Sequence, residues 1–535
     1  YRHTFVEKHT LDFLLGLSVQ EDERNSIGTW GKDSPSDLIH YISWFGNVYN
    51  VDENRALKDG TTGREVSTSV GVFGRLNYNY LERYFLSVTL RRDASSKFGE
   101  NVRWGTFPSY AVAWTFSEEP FMDWSRGVLD HGKLRVSYGK SGKQFDQPYI
   151  AQGSFSPGDP YLGNPTILPD LSRGLSNKYL TWEETGQYDF GLDLDFFDHR
   201  FGVVLDYYYR YTDKLLYPVM LPGNYSAFNR QWRNAYAISN EGIELEVKWN
   251  AIRNEKLNWN ISFNIARNWN RLEKSENKRD FLTEDNTTNL NIIGKALNGL
   301  YVLKTGGIYN DNKEVPRMFI NGKDTPLAGN GNTQHYRAGD RVVYDVNGDG
   351  VVNSDDRVYA GAPAPIVQGG IITTLEWKGF DLNVLFNFVI SRHILNAARG
   401  ASVGTIIGLT PDDSVTPVYV DLNNVSFWQK PGDKTDFPMN RLEGGLGSFN
   451  SYTTANVENV SYLKLKTFSI GYTLPDRWKK KVGFGLRVFV SGENLFTITN
   501  YSGADPESVN IMTGVDNLGN YPLNRKLTLG ITGTF

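Results

Sequence analysis

The chain contains no cysteine. That absence excludes thiol catalysis, disulfide frameworks and thiolate metal sites. Long apolar runs are absent too. Although 40% of the 535 residues are hydrophobic, no run approaches the ~18 apolar residues of a spanning helix. The longest comparable piece, Leu11-Asp12-Phe13-Leu14-Leu15-Gly16-Leu17, is far too short. Neither sign of charge dominates: the formal net charge of −4 argues against a nucleic-acid partner. Histidine is sparse. His3, His9, His40, His131, His199, His335 and His393 include no pair at the spacing of a helical or hairpin metal site, so they read as solvated or interfacial. Tyr1-Arg2-His3-Thr4 has neither the basic start nor the apolar core of a signal peptide.

What the chain has instead is alternation. Fourteen amphipathic strands can be drawn: 11–20, 69–80, 83–92, 107–116, 133–140, 187–197, 200–212, 242–249, 257–269, 367–376, 380–389, 462–474, 485–495 and 526–535. In the seventh, Phe201, Val203, Leu205, Tyr207, Tyr209 and Tyr211 share one face, while Gly202, Val204, Asp206, Tyr208 and Arg210 share the other. This period of two marks strands. The gaps alternate short and long. Tight connections fall at Leu81-Glu82, Asp198-His199, Arg253-Asn254-Glu255 and Trp377-Lys378-Gly379; the longest gap spans about 270–365. Short turns at one end, long loops at the other and one polar face are the requirements of a transmembrane antiparallel β-barrel with a wet lumen. Aromatic residues make up 14% of the chain, enough for girdles at both membrane interfaces. The alternation is weakest around 93–106. In the twelfth strand the apolar phase changes between Leu465 and Phe468, which predicts a bulge. Residues 118–124 are expected to form a short helical turn. Lys479-Lys480-Lys481 reads as a solvated turn.

The sharpest local motif is Asp345-Val346-Asn347-Gly348-Asp349-Gly350-Val351-Val352-Asn353-Ser354-Asp355-Asp356. It matches a calcium-binding EF-hand loop at positions 1, 3, 5 and 6, with Asp in place of Glu at position 12. Asp345, Asn347, Asp349, the Val351 carbonyl and Asp356 are the expected ligands of a structural Ca²⁺ that braces the longest loop. The alternative is an Asx-rich turn held by its own side chains. Loop aromatics such as Trp30, Trp44, Tyr161, Trp232, Tyr336 and Trp428 could stack on sugar rings, although loop packing explains each of them as well. Nothing matches a nucleophile elbow or a defined acid–base pair, so no catalytic residue is expected.

Several stretches together resemble SusC-like TonB-dependent transporters. They are Gly339-Asp340-Arg341-Val342-Val343-Tyr344 leading into Asp345, then Asp355-Asp356-Arg357 and Gly361-Ala362-Pro363-Ala364-Pro365. Tyr462-Leu463-Lys464-Leu465-Lys466, Ile470-Gly471-Tyr472-Thr473-Leu474-Pro475, Val490-Ser491-Gly492-Glu493-Asn494-Leu495-Phe496 and Gly503-Ala504-Asp505-Pro506-Glu507 also fit. So do Asp93-Ala94-Ser95-Ser96-Lys97-Phe98-Gly99, Phe107-Pro108-Ser109 and Ala113-Trp114. The resemblance implies an importer of oligosaccharides or peptides in the bacterial outer membrane. It would sit in outer-membrane lipid beneath a SusD-like surface lipoprotein and be powered through TonB. Barrels of this class have 22 strands around a plugged lumen. Nothing here resembles the plug or the TonB-contacting segment, so residues 1–535 are expected to be a C-terminal barrel portion. A complete 14-stranded passive porin or channel is the alternative, since bacterial single-chain barrels have even strand numbers.

Overall fold

The computed structural model describes all residues except 6–7, 29–30, 33–46, 49–60, 224–226, 277, 284–285, 321, 330–333, 400–425, 436, 440–451, 518–520 and 535. Among them, fifteen strands follow one another in chain order through a single sheet. We label them β1 (Arg2–Phe5), β2 (His9–Gly28), β3 (Thr61–Tyr80), β4 (Tyr84–Ser95), β5 (Trp104–Thr115), β6 (Leu129–Lys143), β7 (Glu183–Phe196) and β8 (Phe201–Met220). The others are β9 (Arg230–Arg253), β10 (Leu257–Lys274), β11 (Val367–Trp377), β12 (Phe380–Asn396), β13 (Val457–Thr473), β14 (Gly485–Thr499) and β15 (Lys526–Thr534). The fourteen expected strands are all there, as β2 to β15; the four-residue β1 in this succession was unforeseen.

At three of the four tight turns the expected bounds hold to within about a residue; at the fourth, β9 runs to Arg253 rather than Trp249. At the long-loop ends the strands run further than alternation indicated. β9 starts at Arg230 rather than Gly242, and β8 continues to Met220 rather than Thr212. Residues 215–220 of β8 are apolar on both faces and residues 230–241 of β9 carry polar residues on both, so the period of two is invisible in each. The 118–124 turn is present as two 3₁₀ segments, Phe116–Glu118 and Pro120–Ser125. The Lys479–Lys481 turn is instead part of an α-helix, Asp476–Val482.

Register shows why these residues form these strands. In one row, Trp259, Leu375, Leu382, Ile470, Val490 and Leu529 stand opposite one another across six strands. One position along, the row reads Asn260, Thr374, Asn383, Ser469, Ser491 and Thr528. Successive side chains point to opposite faces, so one face is apolar and the other hydrophilic, and a one-residue slip would exchange them. The apolar face is open: Leu529 is 74% and Ile531 70% exposed. Water would not tolerate such a band, but lipid requires it. The expected bulge falls at Lys466, which both neighbouring ladders skip between Leu465 and Thr467.

The tight turns rest on backbone conformation rather than on turn-forming residues. Leu81 and Glu82 both have positive φ (53° and 58°), as a two-residue hairpin demands. Phe197, Asp198 and His199 are likewise all left-handed. No Asn-Gly or Asp-Gly pair advertises either turn, and only the flanking alternation located them.

By its internal contacts the chain falls into two compact units. The first contains residues 1–114, 135–188 and 210–237. Its apolar core gathers Phe98, Phe107, Phe145, Leu180, Trp182 and Leu216, with Trp232 against it. Gly99 is required there by close approach. Its N–H donates to the Leu180 carbonyl, and a Cβ would come within 1.7 Å of the Lys178 carbonyl oxygen. Gly99→Ala is therefore expected to cost about 1–3 kcal/mol through forced backbone displacement. A lowered thermal midpoint of the detergent-solubilised protein would show this, and an unchanged midpoint would refute it.

The second unit contains 115–134, 189–209 and 238–535. Its longest connection carries structure of its own. Eleven short strands between Phe281 and Tyr359 enclose a core of Leu303, Tyr309, Val315, Leu327, Tyr336, Val343 and Val352. Burial raises the Tyr309 phenol to about 12 and lifts Tyr336 still further. Both hydroxyls therefore stay neutral at physiological pH.

Candidate functional site

The Asp345–Asp356 loop packs on this small core through Val352. Gly348 and Gly350 take positive φ (79° and 84°), the conformation for which glycine is suited. Every acidic or amide side chain proposed as a ligand accepts backbone hydrogen bonds. Asp345 accepts from Gly348 and Gly350 N–H at 2.7 and 2.8 Å. Asn347 accepts from Asp349 at 3.0 Å, and Asp349 from Val351 at 2.8 Å. Asp356, fully buried, accepts from Val346, Asn347 and Asn353 at 2.7, 3.3 and 2.8 Å. Val351 and Val352 pair in parallel with Ala328 and Gly329, which ties the loop to its neighbour. The five expected ligands therefore belong to one turn. Their oxygens are directed at its own amides, and among the described residues no three His, Asp or Glu side chains gather as a metal cage. Asp356 Oδ1 accepts from both Val346 and Asn347 and is filled, whereas the Asp345 oxygens accept one bond each and keep a further lone pair; an all-oxygen donor set suits a hard cation of the calcium type.

A second construction was not foreseen. Residues 501–516 form a loop lying on the polar face of β12 and β13. Its ends are clasped by the Tyr501 hydroxyl, which donates to Asp516 at 2.6 Å. Val515 and Asp516 add a short parallel strand beside Leu395 and Asn396. The middle of the loop is held electrostatically. Lys464 lies 2.9 Å from Asp505 and 2.8 Å from Glu507, with only 2% of its side chain exposed. Lys466, at the bulge, reaches the other Glu507 oxygen at 2.8 Å. From β12 the buried Arg392 donates to the carbonyls of Pro363, Pro506 and Val509 at 3.1, 3.2 and 3.3 Å. Asn289 adds a tie from the long connection, donating to the Thr513 carbonyl at 3.0 Å. Compact loops with joined ends are frequently functional.

Burial works to raise the Glu507 carboxyl, but hydrogen bonds from Lys464 and Lys466 outweigh it and hold the group below its ordinary value. A depressed carboxylate stabilises the folded form fully above the unfolded value of ~4.3 and loses that contribution as pH falls through its lower folded value. Hydrogen-exchange protection of 503–514 is therefore expected to be unchanged between neutral pH and about pH 5 and to fall only in stronger acid. Loss of protection near pH 6 would contradict this.

The sequence contained both halves of this clasp, in Tyr462-Leu463-Lys464-Leu465-Lys466 and Gly503-Ala504-Asp505-Pro506-Glu507, but nothing in it linked them. Two lysines on the polar face of a strand were the available signal. Near the tight turns, Arg487 of β14 reaches across β13 to Asp381 of β12 with two hydrogen bonds, one of 2.8 Å from Nε. Gly471 lies between them, where a Cβ would meet both side chains. Among the loop aromatics, Tyr336 and Trp428 are buried and Trp232 packs on the first unit's core, whereas Tyr161 is 71% exposed. Trp30, Trp44 and Phe535 lie outside the described residues. His393 departs from the solvated reading: it is half-buried, with its ring over Gly361.

Comparison with known proteins agrees with this architecture. Residues 2–356 match the family described as TonB dependent receptor-like, beta-barrel. The TonB-dependent receptor P3 of Formosa agariphila is 29% identical over 98% of this chain and 51% of its own length. The TonB-dependent receptor SusC of Bacteroides thetaiotaomicron is 28% identical over 90% of this chain and 45% of its own. A solved structure of the RagAB peptide transporter superposes with a TM-score of 0.77 at 23% identity, covering 100% of this chain and 54% of that one. The chain thus spans about half the length of the curated relatives it matches. These relatives are receptors rather than members of an enzyme class. From an antiparallel sheet with one apolar and one hydrophilic face and a family match over more than half its residues, the chain belongs to the TonB-dependent receptor-like β-barrels of the outer membrane.

Proposed function

We propose that this chain supplies barrel wall and outer loops to a SusC-like importer of oligosaccharides or peptides. The importer works beneath a SusD-like lipoprotein and is energised through TonB. The observation that carries this reading is the similarity to SusC over 90% of the chain, on a sheet with one lipid-facing and one hydrophilic face. The barrel does no chemistry on its cargo; the wall and loops select and admit it. The structural role of the Asp345–Asp356 loop is to brace the long connection, with calcium held by the Asp345, Asn347, Asp349 and Asp356 side chains and the Val351 carbonyl.

The test is deletion of the full-length gene in its own host, with growth measured on single oligosaccharides and on peptides. Growth should fail on one class and return with the intact gene. Uptake that persists after the proton-motive force is collapsed would point to passive diffusion and overturn the proposal. Affinity purification from native membranes should recover a surface lipoprotein; none recovered would count against the partnership.

A further inference from the structure

Between the 501–516 loop and the sheet lies a cavity of about 540 Å³, walled by Gln368, Asn387 and Tyr462 from the strands and by Glu507, Asn510 and Ile511 from the loop. Its size is within the ~300–1,000 Å³ of small-molecule sites. Register places Gln368 opposite Val389, and Val389 opposite Tyr462. Asn387 stands opposite Lys464. All of these positions are on the polar face, so the cavity opens on the barrel's interior side.

The charges at its margin are already engaged. Arg392 is committed to backbone carbonyls, and both Glu507 oxygens face lysines. The Asn510 amide oxygen accepts from the Met512 N–H at 2.7 Å. The side-chain amides of Gln368 and Asn387 have no hydrogen-bond partner among the described residues, although each offers donors and an acceptor. The tyrosine ring adds an apolar floor.

We infer that this cavity is a cargo subsite for an uncharged segment rich in hydroxyl or amide groups, held by Gln368 and Asn387. The inference rests on the import reading and names the chemistry that reading leaves open. The Arg392 donors are spent on carbonyls and Glu507 is paired with two lysines, so a charged segment would find no open charge-assisted hydrogen bond here. A sugar ring or a stretch of peptide backbone matches both the amides and the ring.

The test uses the full-length protein in detergent with four probes of similar length: maltoheptaose, a capped uncharged peptide, oligolysine and oligoglutamate. Calorimetry is expected to show binding of one uncharged probe, weakened about tenfold or more in Gln368→Ala/Asn387→Ala through loss of two or more hydrogen bonds. Whether the sugar or the peptide binds identifies the source. Failure of both uncharged probes, preference for a charged one, or a change under about twofold in the double variant would overturn the subsite. The same variant in the host separates this inference from the one beneath it. Uptake that continues unaffected in the variant removes the subsite and leaves the import reading standing, whereas no uptake by the wild type removes the import reading itself.

Discussion

Lys464→Ala is expected to release the 501–516 loop while leaving the sheet intact. The side chain is buried against Asp505 and Glu507, and Glu507 retains Lys466 when Lys464 is removed. Among the described residues Asp505 has no second cation, only the N–H groups of Glu507 and Leu523, so truncation leaves a buried carboxylate without its counter-charge. Breaking a buried pair from one side costs about 3–5 kcal/mol, more than the intact pair contributes. The loss should be local. The strands beneath are held by continuous backbone ladders, whereas the loop depends on side-chain ties. Hydrogen exchange across 501–516 should accelerate strongly while exchange in β12 to β14 hardly changes, and limited proteolysis should cut within the loop. The variant Lys464→Met/Asp505→Leu, which removes both charges and keeps bulk, should recover much of the protection, since apolar replacement of a whole buried pair is often neutral. Equal protection in wild type and Lys464→Ala would mean that Arg392 and the Tyr501–Asp516 clasp suffice without the ion pair.

The second large effect is at Asp356. Its carboxylate is fully buried and satisfies three backbone N–H groups, those of Val346, Asn347 and Asn353. Hydrogen bonds to a charged acceptor contribute about 1.5–3 kcal/mol each, and buried donors left unpaired cost ~1–3 kcal/mol apiece. Asp356→Ala should therefore unfold the Asp345–Asp356 turn and loosen its parallel pairing with Ala328–Gly329, a loss of several kcal/mol on the same scale. Proteolysis between 345 and 356 reports it. Calcium separates the two accounts of this loop. If the ion is resident, chelation of the wild type should reproduce part of that sensitivity, and Asp345→Ala/Asp349→Ala should lower bound calcium in the purified protein. If metal content and protease resistance ignore both treatments, the loop is an Asx-rich turn closed by its own amides.

The barrel strands were legible because their chemistry repeats every two residues. Phe201 to Tyr211 alternate so regularly that face, direction and turn position follow from sequence. Even the bulge at Lys466 was announced by the phase change between Leu465 and Phe468. Legibility stopped where alternation stopped. The outer end of β8 is apolar on both faces and that of β9 has polar residues on both, and the small core around Tyr309, Tyr336 and Val352 is assembled from residues with no common period. The cation-loop motif was visible because its ligands are close in sequence. Arg392 was invisible as a tie, because its acceptors are main-chain carbonyls, one 29 and two more than a hundred residues away, and any residue type supplies a carbonyl.

The sequence by itself determined that one face of each strand meets lipid and the other water, and hence a membrane barrel with short turns at one end and long loops at the other. Local periodicity suffices for this, because burial in lipid is a property of each strand separately. Only the tertiary structure decided which loop lies on which strand. That Lys464 and Lys466 meet Asp505 and Glu507, that Arg392 holds two loops at once, and that Gln368 and Asn387 face one cavity all depend on pairs about 20 to 120 residues apart. Such pairs are set by strand register and loop closure, for which a single chain read in order holds no repeating signal.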